Sequence, residues 1–273
     1  MTWFTPATLD EALPILAGGA RVIAGGTDLL AAEGRALPQG DLVDLGGIEG
    51  FRRIERSDAG IRIGAGVTWS EIVAADLPPA FDGLKAAARE VGGIQIQNAG
   101  TLAGNLCNAS PAADGTPCLL TLDAAVQIAG PNGPRTLPVA EFVLGPRKVA
   151  LQPGEVVTAL LIPPQGAARS AFVKLGARRY LVISIAMVSV VVEVVGGRIR
   201  RPRIAVGACG PVAARMSHLE AELDGTPAAK AADLLRPDHF DALDPIDDIR
   251  ADAAYRRAAA LELTRRALIR AVT

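Results

Sequence analysis

Cysteine is scarce in this sequence. Cys107, Cys118 and Cys209 leave an odd count and no CxxC spacing, which predicts no disulfide framework and no zinc or iron–sulfur site. Histidine occurs twice, at His218 and His239, in no pattern suited to base catalysis. A G-x-S-x-G nucleophile elbow and a Walker A loop are both missing. Gly64-Ala65-Gly66 opens like a dinucleotide fingerprint, but Trp69 stands where the third glycine belongs. No apolar run is long enough to span a bilayer. Met1-Thr2-Trp3 lacks the basic start of a signal peptide. The net charge of −1 gives no electrostatic case for nucleic acid or an anionic membrane. These absences predict a cytoplasmic protein, without membrane insertion or nucleic-acid partner, whose chemistry is supplied by a bound cofactor.

What is present supports a large core. Half of the 273 residues are apolar and 21% are charged, so the chain buries enough surface for two or three compact units. Residues 1–170 hold 12 basic and 17 acidic side chains, and residues 171–273 hold 16 and 12, consistent with a division near 170. Capping patterns at Thr8 with Glu11, and at Thr68 with Glu71, predict helix starts. Strands are expected at 21–23, 41–45, 60–65, 122–128, 135–139 and 156–162. Residues 97–117 read as one long irregular loop, and such loops are usually functional. Beyond 170, antiparallel strands at 171–175, 185–195 and 198–206 precede helices at 213–223 and 251–272.

Two stretches carry the candidate chemistry. In Val22-Ile23-Ala24-Gly25-Gly26-Thr27-Asp28-Leu29 a strand runs into two glycines, a hydroxyl and a carboxylate. Glycines let backbone N–H groups converge on an anion such as a pyrophosphate. The same residues also read as a plain strand-to-helix turn capped by Thr27 or Asp28. In Gly100–Asp114, Thr101, Asn105, Asn108 and Ser110 offer hydrogen bonds to phosphate or ribityl groups, and Asp114 offers an acceptor for ribose hydroxyls. A loop satisfying its own backbone is the alternative.

Ala24-Gly25-Gly26-Thr27-Asp28, Thr101-Leu102-Ala103-Gly104-Asn105 and Asn108-Ala109-Ser110-Pro111-Ala112-Ala113-Asp114 together resemble the FAD-binding medium subunit of molybdenum hydroxylases, the xanthine dehydrogenase and carbon monoxide dehydrogenase family. Gln95-Ile96-Gln97-Asn98, the segment Phe172–Arg179 and the stretch Tyr255–Leu268 extend the resemblance over nearly the whole chain. The resemblance implies an α+β chain with a vanillyl-alcohol-oxidase (PCMH) type FAD-binding fold. Two subdomains, 1–60 and 61–165, would hold FAD, followed by a C-terminal α+β domain, 170–273, with an antiparallel sheet. It implies that Val22, Ile23, Ala24, Gly25, Gly26, Thr27, Asp28, Leu29, Thr101, Ala103, Gly104, Asn105, Asn108 and Asp114 contact FAD. Lys174 would sit near the flavin ring and Ile183 near its face, with Val91 and the backbone near Val157 as further contacts. Many relatives have glycine at the position of Ala103, where a methyl would crowd a phosphate if φ had to be positive. No inserted cysteine group suggests an extra cluster in this chain.

The implied function is electron transfer from a small [2Fe-2S] subunit, through FAD, to an external acceptor such as NAD⁺, a quinone or oxygen. A large partner subunit would carry molybdopterin. The alternative is a self-contained FAD oxidoreductase acting on a small substrate, which needs a proton donor that this sequence does not obviously supply.

Overall fold

The computed structural model describes residues 1–33 and 39–273, with the side chains of 32 and 33 left aside. Three larger sheets organise the described residues, beside a two-stranded one formed by Val143–Gly145 and Lys148–Val149. Trp3–Phe4, Leu42–Asp44 and Arg21–Ile23 form a small parallel sheet in that spatial order. Ile54–Ser57, Gly60–Gly64, Val156–Ile162, Ala125–Ala129 and Arg135–Pro138 form an antiparallel sheet, again in spatial order. Its first hairpin straddles residue 60. Arg169–Leu175, Ala186–Val195, Arg198–Gly207 and Ala214–Arg215 form the third, also antiparallel. The architecture is therefore α+β, as expected. Among the described residues no helix is long and apolar enough to cross a membrane.

The third sheet serves two cores because strand side chains alternate between faces. Phe172, Met187, Val191 and Ala205 join the apolar cluster of the first 168 residues. Ala171, Val173, Val188, Val190, Ile204 and Val206 face a second cluster that includes Ala260, Leu263, Ala267 and Leu268 of the final helix. That helix, Ala253–Val272, starts where the Asp252 side chain accepts from Tyr255 N, an N-cap. Buried Arg256 fastens it by donating to the carbonyls of Ile185 and Ala208 and pairing with Asp248 at 2.7 Å.

The expected loop over 97–117 is instead largely helical. Ile94–Ala99, Leu102–Asn108 and Gly115–Thr121 are three short helices. Buried Leu102 and Leu106 recur at helical spacing, and the Thr101 hydroxyl accepts from Gly104 N at 2.9 Å to cap the second helix. Polar composition hid this pattern. The expected helix from 213 also starts later, at Ser217, because Ala214 and Arg215 pair with Val206 and Ala205.

Candidate functional site

The two glycine-bearing stretches meet. All eight residues from Val22 to Leu29, together with Thr101, Ala103, Gly104, Asn105 and Asn108, line one cleft of about 440 Å³, within the usual range for a ligand site. Val91 and Val157 line it as well. Sequence reasoning missed its apolar side, where Leu45, Ala65, Trp69 and Leu151 lie. Leu45 and Ala65 fall in expected strands and Trp69 beside an expected helix start, while Leu151 carried no expectation, and nothing in the sequence marks which apolar residues border a cavity.

The walls are held by close backbone approach and by hydrogen bonds. A Cβ on Gly25 would overlap the carbonyl of Ala99 and lie 2.9 Å from Gly100 Cα, so only glycine lets the first loop abut the second. Gly26 has φ +68°, a left-handed conformation that favours glycine. The backbone N–H groups of Gly25, Gly26 and Thr27 make no hydrogen bond among the described residues. Unpaired amides beside a cavity are groups a ligand can satisfy. Across the cleft Asn108 Nδ2 donates to Asp28 Oδ1 at 2.7 Å. Arg147 donates to Asn108 O at 3.3 Å and to Asn108 Oδ1. Ala109 and Arg147, both non-glycine residues with positive φ, are joined by an N–H···O bond of 2.8 Å. That strain sits beside the cleft, as strain at working sites often does.

Ala103 lies within the helix Leu102–Asn108 and has no positive φ, so glycine is not required there. Asn105 accepts from Gly115 N at 3.3 Å through its side-chain oxygen and keeps its amide N–H groups available.

Asp114, Lys174 and Ile183 do not line this cleft. The carboxylate of Asp114, expected to accept from a ribose, is enclosed and accepts from Lys174 Nζ at 2.7 Å and from Ser184 Oγ at 2.7 Å. Both side chains of the ion pair are buried. Burial pushes the Asp114 carboxyl above its ordinary value, and the Lys174 ammonium opposes that push. Ser184 was not singled out by the sequence. Ile183 is exposed, next to exposed Leu181 and Tyr180.

Burial pushes the Cys107 and Cys118 thiols up to about 12 and that of Cys209 to about 11, so none is a thiolate near neutral pH, although Cys107 is only half-buried and borders the cleft. Both histidines meet at Glu222, with His239 Nε2 at 3.2 Å and His218 Nδ1 at 3.4 Å. The backbone N–H of Arg236 donates to His239 Nδ1 at 3.2 Å, so the neutral ring carries its proton on Nε2, directed at Glu222. Arg236 also pairs with that carboxylate. This arrangement ties the turn Pro237–Phe240 to the helix Ser217–Leu223 and leaves His239 no lone pair to offer a metal at Nε2.

Residues 1–165 match the family profile of the FAD binding domain in molybdopterin dehydrogenase. The chain belongs to this flavoprotein family. Residues 171–271 of the flavoprotein match a second profile, the CO dehydrogenase flavoprotein C-terminal domain. The nicotine 6-hydroxylase medium subunit of Paenarthrobacter nicotinovorans is 32% identical over 278 residues, covering 98% of this chain and 95% of that one. The putative xanthine dehydrogenase FAD-binding subunit of Escherichia coli K12 is 32% identical, covering 81% and 78%. Among solved structures, CO dehydrogenase from Oligotropha carboxidovorans superposes with a TM-score of 0.91 at 27% identity, covering 100% of this chain and 97% of that one. Quinoline 2-oxidoreductase from Pseudomonas putida 86 gives 0.87 at 29%, covering 100% and 96%. The flavoprotein thus carries an FAD-binding domain of the molybdenum hydroxylase type and is an oxidoreductase component.

Proposed function

We propose that this flavoprotein is the electron-transfer subunit of a heteromeric molybdenum hydroxylase. Electrons arrive from a [2Fe-2S] partner subunit and leave to an external acceptor, NAD⁺, a quinone or oxygen. A large partner carries molybdopterin and the substrate site. One observation carries the reading: Val22–Leu29 and Thr101–Asn108 face each other across a single cleft, beside free glycine amides.

These residues fit FAD. The amides of Gly25, Gly26 and Thr27 suit the two phosphates, whose charge they meet with partial positive charge and no side-chain bulk. Val22, Ile23, Ala24, Asp28 and Leu29 complete that wall. Thr101, Ala103, Gly104, Asn105 and Asn108 form the other, with the Asn105 amide and Thr101 hydroxyl as donors toward the ribityl chain or phosphates. When bound, FAD supplies the exchange between one-electron donors and one- or two-electron acceptors. The protein's part is to hold it, exclude water on the apolar side and set its electrostatics. Lys174, fixed by Asp114, places a positive charge on the ring side and favours negative charge there. Ile183 lies near the ring face.

Medium-subunit relatives support a subunit over a self-contained enzyme. The test is purification of the native assembly, with flavin, iron and molybdenum measured chain by chain. One FAD on this chain, with both metals on other chains, is expected. An assembly whose flavin resides elsewhere overturns the proposal, as does substrate turnover by this chain alone.

A further inference from the structure

A second cleft, of about 500 Å³, is lined in part by Lys174. Its floor is a consecutive run, Phe172 to Gly176. Phe172 belongs to one face of the third sheet, and Val173 to the other. A cavity can meet both faces of a strand at once only along its edge. Arg169–Leu175 is the terminal strand of that sheet. Apart from its ladder with Ala186–Val195, Ala171 to Lys174 make no backbone–backbone hydrogen bond among the described residues. The cleft is therefore a slot along an unpaired strand edge. Its walls are the helix Asp82–Glu90, through Ala86 and Glu90, and the final helix, through Leu263, Arg266 and Arg270.

The slot is cationic. Arg178, Arg179, Arg266 and Arg270 line it against the one carboxylate of Glu90. Lys174 is already matched by Asp114, and Arg266 by Glu262 at 2.8 Å. Arg178 is spent on the carbonyl of Leu181, and Arg179 rests over Tyr180 at 5.0 Å, so neither is paired with a carboxylate. Arg270 has no ion pair among the described residues.

We propose that this slot accepts an extended acidic segment of a partner chain, which adds as a fifth strand beside Arg169–Leu175. The unpaired edge, whose residues Ala171 to Val173 are buried between the flanking helices, supplies main-chain hydrogen bonds inside the slot, and the guanidiniums select carboxylates flanking the inserted strand. A free strand edge is ordinarily covered or charged to prevent such pairing. Here the charge is of one sign, which admits a strand of the opposite sign. Five floor residues match a segment about 16 Å long, at roughly 3.3 Å per residue. The natural donor is a subunit of the assembly proposed above, so that part rests on that reading, whereas the slot itself does not.

The experiment is hydrogen exchange on the full chain, with and without a synthetic peptide alternating valine and glutamate. Slower exchange of amides in 171–175 is expected, together with loss of binding by an N-methylated peptide. Arg266→Glu with Arg270→Glu should weaken peptide binding about tenfold or more, two reversed charges each contributing a fraction of that. A valine–lysine peptide should not bind. Binding without protection of 171–175 overturns the proposal. So does displacement of the peptide by inorganic pyrophosphate when the N-methylated peptide binds equally well, which marks a small-anion site. The same amides are then measured in the purified assembly. If the assembly forms and they remain as fast as in the free chain, the partner-strand proposal fails and the electron-transfer reading stands. If no assembly forms, that reading fails and the peptide measurements alone decide the slot.

Discussion

Asn108 and Asp28, eighty positions apart, share a hydrogen bond of 2.7 Å across the mouth of the flavoprotein's cleft. The same asparagine is held from behind by Arg147. Neither partner is deeply buried, so the bond contributes little to global stability. Its effect is to fix the distance between two walls that must close on one ligand. Asn108→Ala is therefore expected to weaken FAD retention about tenfold, since pre-organisation lost in the free protein is recovered only on binding. Thermal unfolding of the apoprotein should barely move. Titration of apoprotein with FAD, followed by flavin fluorescence, separates the two, and an equal loss in both measurements refutes the positioning role.

Gly25 is constrained differently. A Cβ there runs into the carbonyl of Ala99, so Gly25→Ala must push the first loop off the second. The expected result is loss of bound flavin, with near-native far-UV circular dichroism. Gly133→Ala is the control, because nothing lies within 4 Å of a Cβ at that turn, although its positive φ makes it mildly destabilising. Flavin retained by Gly25→Ala would show that the loops need not touch.

Lys174 and Asp114 form a buried pair at 2.7 Å. Removing one partner strands the other, so Lys174→Met should cost about 3–5 kcal/mol in urea unfolding. Replacing both, Asp114→Asn with Lys174→Met, should recover part of that loss. Independently of stability, Lys174→Met with Asp114 retained should bind flavin of lower reduction potential than the double variant, because it removes the positive charge alone, whereas the double variant removes both charges. An unchanged potential would place the ammonium too far away to act.

Asp248 gives a pH prediction. The backbone N–H of Arg250 holds its carboxyl down at about 2, and the guanidiniums of Arg250 and Arg256 reinforce this. A depressed folded value means that the unfolded chain binds the proton first. Its stabilisation is complete above the ordinary value of 3.8 and is lost as pH falls toward 2. Because Asp248 anchors Arg256 and so the final helix, acid should loosen that helix early. Asp248→Asn should flatten the stability profile between those two values, measured by chemical denaturation at stepped pH.

The sequence made three of the four strands of the C-terminal sheet and both capped helix starts legible, since alternation and capping are local signals. Residues 97–117 misled because glycine, asparagine, serine and proline punctuate the stretch while the decisive leucines are few. The cleft's glycine walls were visible as motifs, but the touching of Gly25 and Ala99 depends on tertiary approach, which no local pattern encodes. The Asp114–Lys174–Ser184 cluster was hidden for the same reason: its members stand sixty and seventy positions apart. Trp69 read as a spoiled fingerprint, and it is instead a buried side chain bordering the cleft.

The third sheet belongs to two cores at once, with Phe172, Met187, Val191 and Ala205 on one side and Val188, Val190 and Ile204 on the other. Such a wall cannot be severed cleanly. A fragment ending at residue 168 would expose the apolar surface that Met187 and Val191 now cover, and a fragment beginning there would expose those residues themselves. The two halves should therefore melt as one transition, and cleavage between them should yield aggregates rather than two soluble domains.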